Sequence, residues 1–402
     1  MVLMATPQLV PSPNPEPDAQ ESFSPLDDEP PLRWQRAVHL APREGLGIVR
    51  RAALFALITW VPIAVWALVH GRFLSAAVGE PLLQHYGVHV RCLVAIPLLI
   101  LGEATLRAAG LRDLPQFLRS GLIDDVTRPR FYAVLRAVRQ WRDASLPWLM
   151  AIGVALAWTM VDRADRHADE LNWALDVNGS LGFGGIWFAY IVRPIFVALL
   201  LGWLWRIVLL VLLSARIGRL DLALVPSHPD RAGGLGFVER LPFAFAPVSL
   251  AISAVLASRW AHQIVHHGQT LTAFKLPAAT VVVDWSLILL APLLPLIVVM
   301  YRAKRAALAS YAAMVAEQGR LVRRRWIDGT TKSDTPLLEP SGVGVLADSA
   351  AMFNAVQSMR AVPIGKTTLA AILLPTAVPM LVVAALQVPI RSLLLGLVKA
   401  LM

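Results

Sequence analysis

The sequence predicts an all-α, polytopic helical membrane protein with about seven transmembrane helices and its N-terminus inside the cell. The 402 residues are 56% hydrophobic and only 16% charged, whereas a soluble domain carries about 25% charged residues. Apolar runs of about 20 residues recur along the chain, and each is long enough to cross a hydrocarbon core of about 30 Å. Arginine-rich connections separate these runs, as expected for the flanks of membrane spans.

Seven apolar runs are assigned as membrane spans. The second is the least regular, because Arg91 and Glu103 bracket its apolar core. An even number of spans would break the alternation between strongly and weakly basic connections, so the charge pattern also favours seven. The assigned spans are residues 52–69, 90–106, 146–161, 184–213, 243–265, 278–301 and 367–388.

The distribution of basic residues predicts the orientation. Lysine and arginine number 27 in the N-terminal segment and the connections after spans 2, 4 and 6, against 6 in the remaining connections and the C-terminal segment. Cytoplasmic connections carry the excess of these residues, so the first group is expected in the cytoplasm. The net charge of +10 then reflects topology, and we expect no nucleic-acid partner.

Composition also predicts the location of the chain. The 32 arginines against 5 lysines, in an alanine- and leucine-rich chain, are typical of a bacterial gene with high GC content. We therefore expect a multi-pass protein of the bacterial cytoplasmic (inner) membrane.

Two kinds of segment are expected outside the spans. Residues 1–31 hold eight prolines and six acidic residues without lysine or arginine, which is typical of a disordered cytoplasmic tail. Residues 32–402 form the helical membrane domain. Within it, apolar residues at helical spacing among arginines predict an amphipathic helix over 116–142 on the inner membrane surface. Residues 302–366 form a second cytoplasmic segment.

A glycine-rich segment follows the fourth span and reads Pro226-Ser-His-Pro-Asp-Arg-Ala-Gly-Gly-Leu-Gly-Phe237. It lacks the lysine that follows the glycines of a phosphate-binding Walker loop, and the spacing of a dinucleotide site. Glycine permits a sharp turn or a close approach, so the segment is either a structural or docking loop or an anion or ligand site. The residues that would form it are His228, Asp230, Arg231, Gly233, Gly234 and Gly236.

This segment resembles one carried by a family of bacterial multi-pass membrane proteins. The same family carries a Leu-Ala-Asp stretch and a Met-Arg-x-Val-Pro stretch, which correspond here to residues 346–348 and 359–363. The resemblance extends from about residue 32 to the C-terminus. It implies a shared membrane fold but no substrate, cofactor or catalytic residue, because the family has no assigned activity.

Charged residues inside the spans carry the clearest functional signal, because a charge in hydrocarbon costs about 3 kcal/mol or more unless it is paired or hydrated. Glu103 and Arg206 fall in the cytoplasmic halves of their spans and form a candidate inner ion pair. Arg193, Arg259 and Asp284 fall in the outer halves. An ion pair between helices is one interpretation of these charges, and a solute or proton pathway is the other.

Histidines are concentrated at the outer ends of the spans. His262 and His266 have the i, i+4 spacing that can chelate a metal, but external connections also take polar residues other than lysine and arginine, so no metal site is assigned. With Arg193, Arg259 and Asp284, the two histidines form a candidate vestibule. Its excess positive charge would favour an anionic solute.

No catalytic motif of the Gly-x-Ser-x-Gly or His-Glu-x-x-His type occurs. No catalytic residue and no cofactor are therefore assigned. One functional hypothesis is a membrane protein that handles or senses a small solute or ion. The other is a non-enzymatic scaffold or sensor that docks a cytoplasmic partner. The partners expected are the lipid bilayer, a small solute, and a second copy of the chain or a cytoplasmic protein.

Overall fold

The fold is built from α-helices. A computed structural model describes residues 29–42, 45–75, 80–161, 171–175, 180–328 and 342–385. It is 79% helical and has no strand in these ranges, which confirms the predicted all-α fold class. Residues 1–28 of the predicted tail lie outside the described residues.

Ten helices follow one another along the described ranges. They are α1 Pro30–Ala37, α2 Ile48–Val69, α3 Tyr86–Arg119, α4 Arg128–Asp143, α5 Ser145–Val161, α6 Phe183–Ile217, α7 Gly236–His266, α8 Leu271–Arg324, α9 Gly342–Ser358 and α10 Lys366–Ala384. Six of these, α2, α3, α6, α7, α8 and α10, are long and apolar enough to cross a membrane. The third predicted span coincides with α5, which has 17 residues. The helices are those of a multi-pass membrane protein in a lipid bilayer.

Prolines shape three of the long helices. In α3 and α6, the wider π-helical turns Val90–Ala95 and Phe188–Val192 come just before Pro97 and Pro194. Proline has no N–H group, so the carbonyl one turn before it is released from the regular helical hydrogen bond. Pro292 likewise lies in a short 3₁₀ turn within α8.

The core lies where α3 crosses α6 and α7. Trp203 of α6 is buried there, and its Nε1 donates a hydrogen bond of 2.9 Å to the carbonyl of Leu99 in α3. Gly102 permits this approach, because a Cβ atom at that position would lie 2.7 Å from the Trp203 ring. Around this crossing, α2 packs against α3, α4 and α5 pack against α6, and α10 packs against both α7 and α8.

The segment predicted as one amphipathic helix over 116–142 is divided in the structure. Its first residues end α3, and α4 begins at Arg128. The apolar residues Phe131, Leu135 and Val138 are buried in the protein core rather than facing a bilayer. The apolar face of α4 is therefore covered by the protein itself, because helical periodicity identifies an apolar face but not what covers it. The position of the helix relative to the membrane surface stays a prediction.

The structure also corrects the boundary of the N-terminal tail. Glu29 is buried and α1 begins at Pro30, within the range predicted to be disordered. Proline suits the first turn of a helix, where the backbone N–H has no intrahelical partner, so Pro30 and Pro31 favour a helix start. Over residues 302–366, α8 continues well beyond the sixth predicted span, and α9 packs against it.

Substitution of Gly102 tests the helix crossing. Gly102→Val should lower the unfolding temperature in detergent, because the added side chain overlaps Trp203 and overpacking costs about 1–3 kcal/mol. The matched control is Gly153→Val in α5, where a Cβ atom meets nothing within 4 Å. Equal shifts in the two variants would contradict the close crossing of α3 and α6.

Candidate functional sites

Four charged side chains are buried together between α1, α2, α3 and α6. Glu103 accepts hydrogen bonds from Arg206 at 2.9 Å and from Arg51 at 2.5 Å. Glu29 accepts a second hydrogen bond from Arg206, at 2.6 Å. Each of the four side chains is 5% exposed or less. We call these residues the buried ion cluster.

The structure places the predicted partners Glu103 and Arg206 in direct contact and adds two residues that sequence reasoning missed. Arg51 flanks span 1 and Glu29 belongs to the predicted tail, so no sequence signal places either one in the core. Two positive and two negative charges balance within the cluster. Balance matters because a buried charge without its partner is strongly destabilising.

Neutralising one member should cost more than neutralising an opposite pair. Arg206→Gln removes the arginine that contacts both Glu29 and Glu103, so we expect a loss of about 3–5 kcal/mol. Glu103→Gln and Arg206→Gln both break the contact between these two side chains, so the cost of the double variant should be less than the sum of the single costs. The free energies of unfolding of the wild type, Glu103→Gln, Arg206→Gln and the double variant, measured in detergent, give the coupling between the two side chains. Strict additivity would show that the two side chains are not coupled.

The glycine loop, residues 226–237, is organised around the carboxylate of Asp230. This carboxylate accepts hydrogen bonds from the backbone N–H groups of Ala232 at 2.8 Å, Gly234 at 3.0 Å and Gly236 at 2.9 Å. Gly233 and Gly234 have φ angles of 67° and 96°, which favour glycine. The loop's own aspartate therefore satisfies the N–H groups that would otherwise receive an anion.

The glycine loop also holds the Met-Arg stretch that follows α9. The backbone N–H of Arg360 donates to the carbonyl of Arg231 at 2.7 Å, and its guanidinium forms a 2.5 Å ion pair with Glu239. The side chain of Met359 lies against Gly233. Two segments that are far apart in the sequence thus pack together, which favours the docking-loop interpretation over a ligand site.

The carboxyl group of Asp230 has a shifted pKa. Burial alone would raise this pKa, but the hydrogen bonds from Ala232, Gly236 and Gly234 and the contact with His228 outweigh burial and lower it. The Nδ1 atom of His228 lies 2.8 Å from the carboxylate. The ionised form of Asp230 is therefore the one that stabilises the loop.

Asp230→Asn should lower the unfolding temperature, because the amide cannot replace a carboxylate that accepts three backbone hydrogen bonds. A lowered pKa means that the stabilisation is present above the ordinary value of about 4 and is lost as pH falls through the lower folded value. The difference from the wild type should be present at neutral pH and shrink below about pH 4. Asp221→Asn, at an exposed position nearby, is the control. A variant as stable as the wild type would show that the loop does not depend on Asp230.

A different cluster lies at the far end of α7. The Nε2 atom of His262 is 3.4 Å from Oε2 of Glu80, and Nδ1 of His266 is 3.9 Å from Oε1 of the same carboxylate. The ligand atoms of these three residues all lie within 4.8 Å of one another. We call them the histidine–glutamate site.

Two elements hold this site in place. His262 and His266 are one turn apart on α7, whose Ala261 and Ile264 are buried nearby. Glu80 lies in the segment before α3, which is fixed by the fully buried Leu82. The backbone N–H of Leu82 donates to the carbonyl of residue 72 at 2.9 Å. The site therefore joins α7 to the segment that precedes α3.

The geometry of the site fits a divalent metal ion. Zinc takes nitrogen and oxygen ligands at about 2.0–2.2 Å in a tetrahedron, so neighbouring ligand atoms are about 3.4 Å apart. The separation of 3.4 Å between His262 and Glu80 equals this value, and that of 3.9 Å between His266 and Glu80 is wider. The His266 ring nitrogen nearest Glu80 is Nδ1. Sequence reasoning missed Glu80, because nothing in the sequence places that connection beside α7.

Two further histidines near this end, His85 and His89, have different roles. His85 stacks on His262 with ring centres 5.0 Å apart, and its Nε2 lies 3.3 Å from Oε2 of Glu80. His89 instead accepts a 3.0 Å hydrogen bond from Trp60 and contacts a backbone carbonyl at 3.0 Å through its other ring nitrogen. His85 therefore supports the site, and His89 is a structural residue.

Arg193, Arg259 and Asp284 do not form the predicted vestibule with the histidines. Within the described residues, Arg259 and Asp284 are both exposed and form no ion pair with each other. Trp285 turns towards α7, where it donates to Ser249 at 2.9 Å, and its neighbour Asp284 then points outward. Arg193 lies over an aromatic ring of its own helix, with 5.6 Å to the ring centre. Equal depth in the membrane was not enough to bring these charges together.

Comparisons with models of protein families, with curated protein sequences and with solved structures find no match to this chain. The resemblance carried by the glycine loop stays a prediction.

Proposed function

We propose that this protein binds a divalent transition-metal ion such as zinc at Glu80, His262 and His266, and that it responds to this ion. The supporting observation is the convergence of three ligand atoms within 4.8 Å of one another. Two imidazoles and one carboxylate suit zinc and leave a fourth coordination position open. A cation replaces the anion favoured by the sequence, because the site contains Glu80 and does not contain Arg193 or Arg259.

The contacts at the two ends of α7 support a sensing role. This helix begins at Gly236, whose N–H is held by Asp230 of the glycine loop, and ends at His266 in the histidine–glutamate site. A bound metal would link the end of α7 to Glu80, in the segment that precedes α3. It would thereby restrain α7, whose other end contacts the glycine loop, and that loop packs against residues 359 and 360.

Metal titration tests the proposed site. Tag-free protein stripped with a chelator should bind zinc in calorimetry, and bound Co²⁺ should give a visible absorption band. Glu80→Gln, His262→Ala and His266→Ala should each weaken binding by more than the roughly 10–100-fold cost of losing an outer-shell partner. The control is His70→Ala, a histidine at the end of α2 outside the site. Unchanged affinity in all three variants would refute the metal site.

We further propose seven spans, with α5 as the third, and a bacterial inner-membrane location with the N-terminus in the cytoplasm. The basic residues support this orientation, as does the resemblance to bacterial multi-pass proteins. The histidine–glutamate site would then face the outside, and the glycine loop the cytoplasm.

Reporter fusions test this topology. A fusion after Gly121 should give a cytoplasmic signal, and a fusion after Gly268 should give an external one. Both glycines have positive φ in turns between helices, so each truncation falls outside a helix. A cytoplasmic signal at Gly268 would overturn the orientation of α7 and α8.

A scaffold is the second candidate function, and the packing of α9 against the part of α8 beyond residue 302 favours it. Much of α8 beyond residue 302 is exposed. Lys304 donates to the carbonyls of Gln357 and Met359, which fixes the end of α9 against α8. Stoichiometric co-purification of a cytoplasmic protein with both the wild type and His262→Ala, independent of added zinc, would favour the scaffold over the metal sensor.

A further inference from the structure

Helix α4 turns a basic side away from the protein. Its apolar side packs in the protein core, so the opposite side is the one that contacts the surroundings. On that side Arg136 and Gln140 are exposed and Arg139 is half-buried. Trp141, next to them near the end of the helix, is 51% exposed. We call these four residues the arginine face of α4.

The arginines of this face have no acidic partner among the residues that the structure describes. Arg128 and Arg142, the first and last arginines of α4, form ion pairs with nearby aspartates at 2.8 and 2.7 Å. In the described ranges, the side chains of Arg136 and Arg139 form no ion pair and no hydrogen bond. They lie one turn apart, and guanidinium groups bind phosphate through paired hydrogen bonds. The arginine face therefore suits an anion that carries phosphate.

The start of α5 indicates the source of this phosphate. Helix α5 begins at Ser145, just after α4 ends. Its first two turns expose large apolar side chains, with Leu146 at 68%, Leu149 at 57% and Met150 at 61%. In a helix that crosses the bilayer such side chains contact hydrocarbon, so the headgroup layer begins where α4 ends. Trp141 fits this depth, because tryptophan is enriched at membrane interfaces.

The two arginines lie within reach of these headgroups. At 1.5 Å per residue, Arg139 and Arg136 are about 6 and 10 Å before the end of α4 at Asp143. The headgroup layer adds about 5–8 Å on each side of the hydrocarbon core, and the long side chain of arginine extends its charge towards polar surroundings. The arginine face therefore lies at the level of the lipid phosphate groups.

We propose that the arginine face of α4 binds the phosphate groups of anionic phospholipids, such as phosphatidylglycerol, at the cytoplasmic surface of the membrane. This inference rests on the proposed assignment of α5 as the third span. The anionic lipid is preferred because phosphatidylethanolamine carries an ammonium group, which cancels the charge of its phosphate. Helix α4 thus meets the membrane through its arginines, while its apolar side holds it against the protein.

Residues 16–28 are the other anion that can reach this face. They hold five acidic residues without lysine or arginine, and they directly precede Glu29 of the buried ion cluster. An acidic segment would account for the arginines alone. The membrane interface accounts for the arginines, for exposed Trp141 and for the apolar start of α5 together, so lipid is the favoured partner.

Photo-crosslinking identifies what lies against the arginine face. The photoreactive amino acid benzoylphenylalanine replaces Gln140 in one protein and Leu149 in a second. Each full chain is reconstituted in phosphatidylethanolamine vesicles with a minor share of phosphatidylglycerol, and mass spectrometry identifies the cross-linked molecules. Cross-links from position 140 should contain phosphatidylglycerol several-fold above its share in the vesicle. Cross-links from position 149, in contact with hydrocarbon, should match the bulk mixture.

Removal of the two charges tests the role of the arginines. Arg136→Gln/Arg139→Gln should bring the phosphatidylglycerol content at position 140 close to its share in the vesicle. The matched control is Arg320→Gln/Arg323→Gln, two exposed arginines with the same spacing on α8. They lie about 29 Å or more along the helix beyond the end of the sixth predicted span, so the control should leave the enrichment unchanged. Equal loss in the two double variants would contradict a specific arginine face.

The two positions separate failure of this proposal from failure of the span on which it rests. Bulk lipid composition at position 140, with lipid cross-links at position 149, would overturn headgroup binding and leave the third span intact. Cross-links from position 140 to residues 16–28 in place of lipid would assign the face to the chain's own acidic segment and overturn the proposal. Absence of lipid at position 149 would overturn the third span and headgroup binding together.

Discussion

The pairing of four charges inside an apolar bundle is the constraint on which the rest of the structure depends. Arg51, Glu103 and Arg206 lie on α2, α3 and α6, helices that are apolar over most of their length and would otherwise have no preferred face. Because an unpaired charge in hydrocarbon is costly, each helix must turn its charge towards the others. This fixes the rotation of all three helices. It also draws Glu29 inward and makes α1 part of the fold.

The two ends of the bundle are specialised in different ways. At one end, Asp230 satisfies the backbone of the glycine loop, and the loop in turn holds Arg360 and the segment before α10. At the other end, Glu80 and two histidines converge. The first arrangement is closed by the chain's own hydrogen bonds, and the second is the proposed metal site. Helix α7 connects them, so an ion bound at one end would act on an element that is anchored at the other.

Hydropathy and charge were sufficient to predict the all-α fold and the long helices, because bilayer thickness fixes the length of an apolar run. Depth in the membrane also predicted that Glu103 and Arg206 could meet. The same reasoning failed for Arg259 and Asp284, because the sequence of a helix that is apolar on every side does not show which face turns towards its neighbours. Sequence reasoning could not find Glu80, since residues in connections are positioned by the folded chain and follow no periodicity.

X-ray absorption spectroscopy of the zinc-loaded protein tests the central claim most directly, because it reports the atoms bound to the metal. We expect a shell of nitrogen and oxygen atoms at about 2.0–2.2 Å, with scattering from two imidazole rings. The double variant His262→Ala/His266→Ala should lose the imidazole scattering. A shell of oxygen atoms alone in the wild type, or imidazole scattering that persists in the double variant, would contradict metal binding at Glu80, His262 and His266.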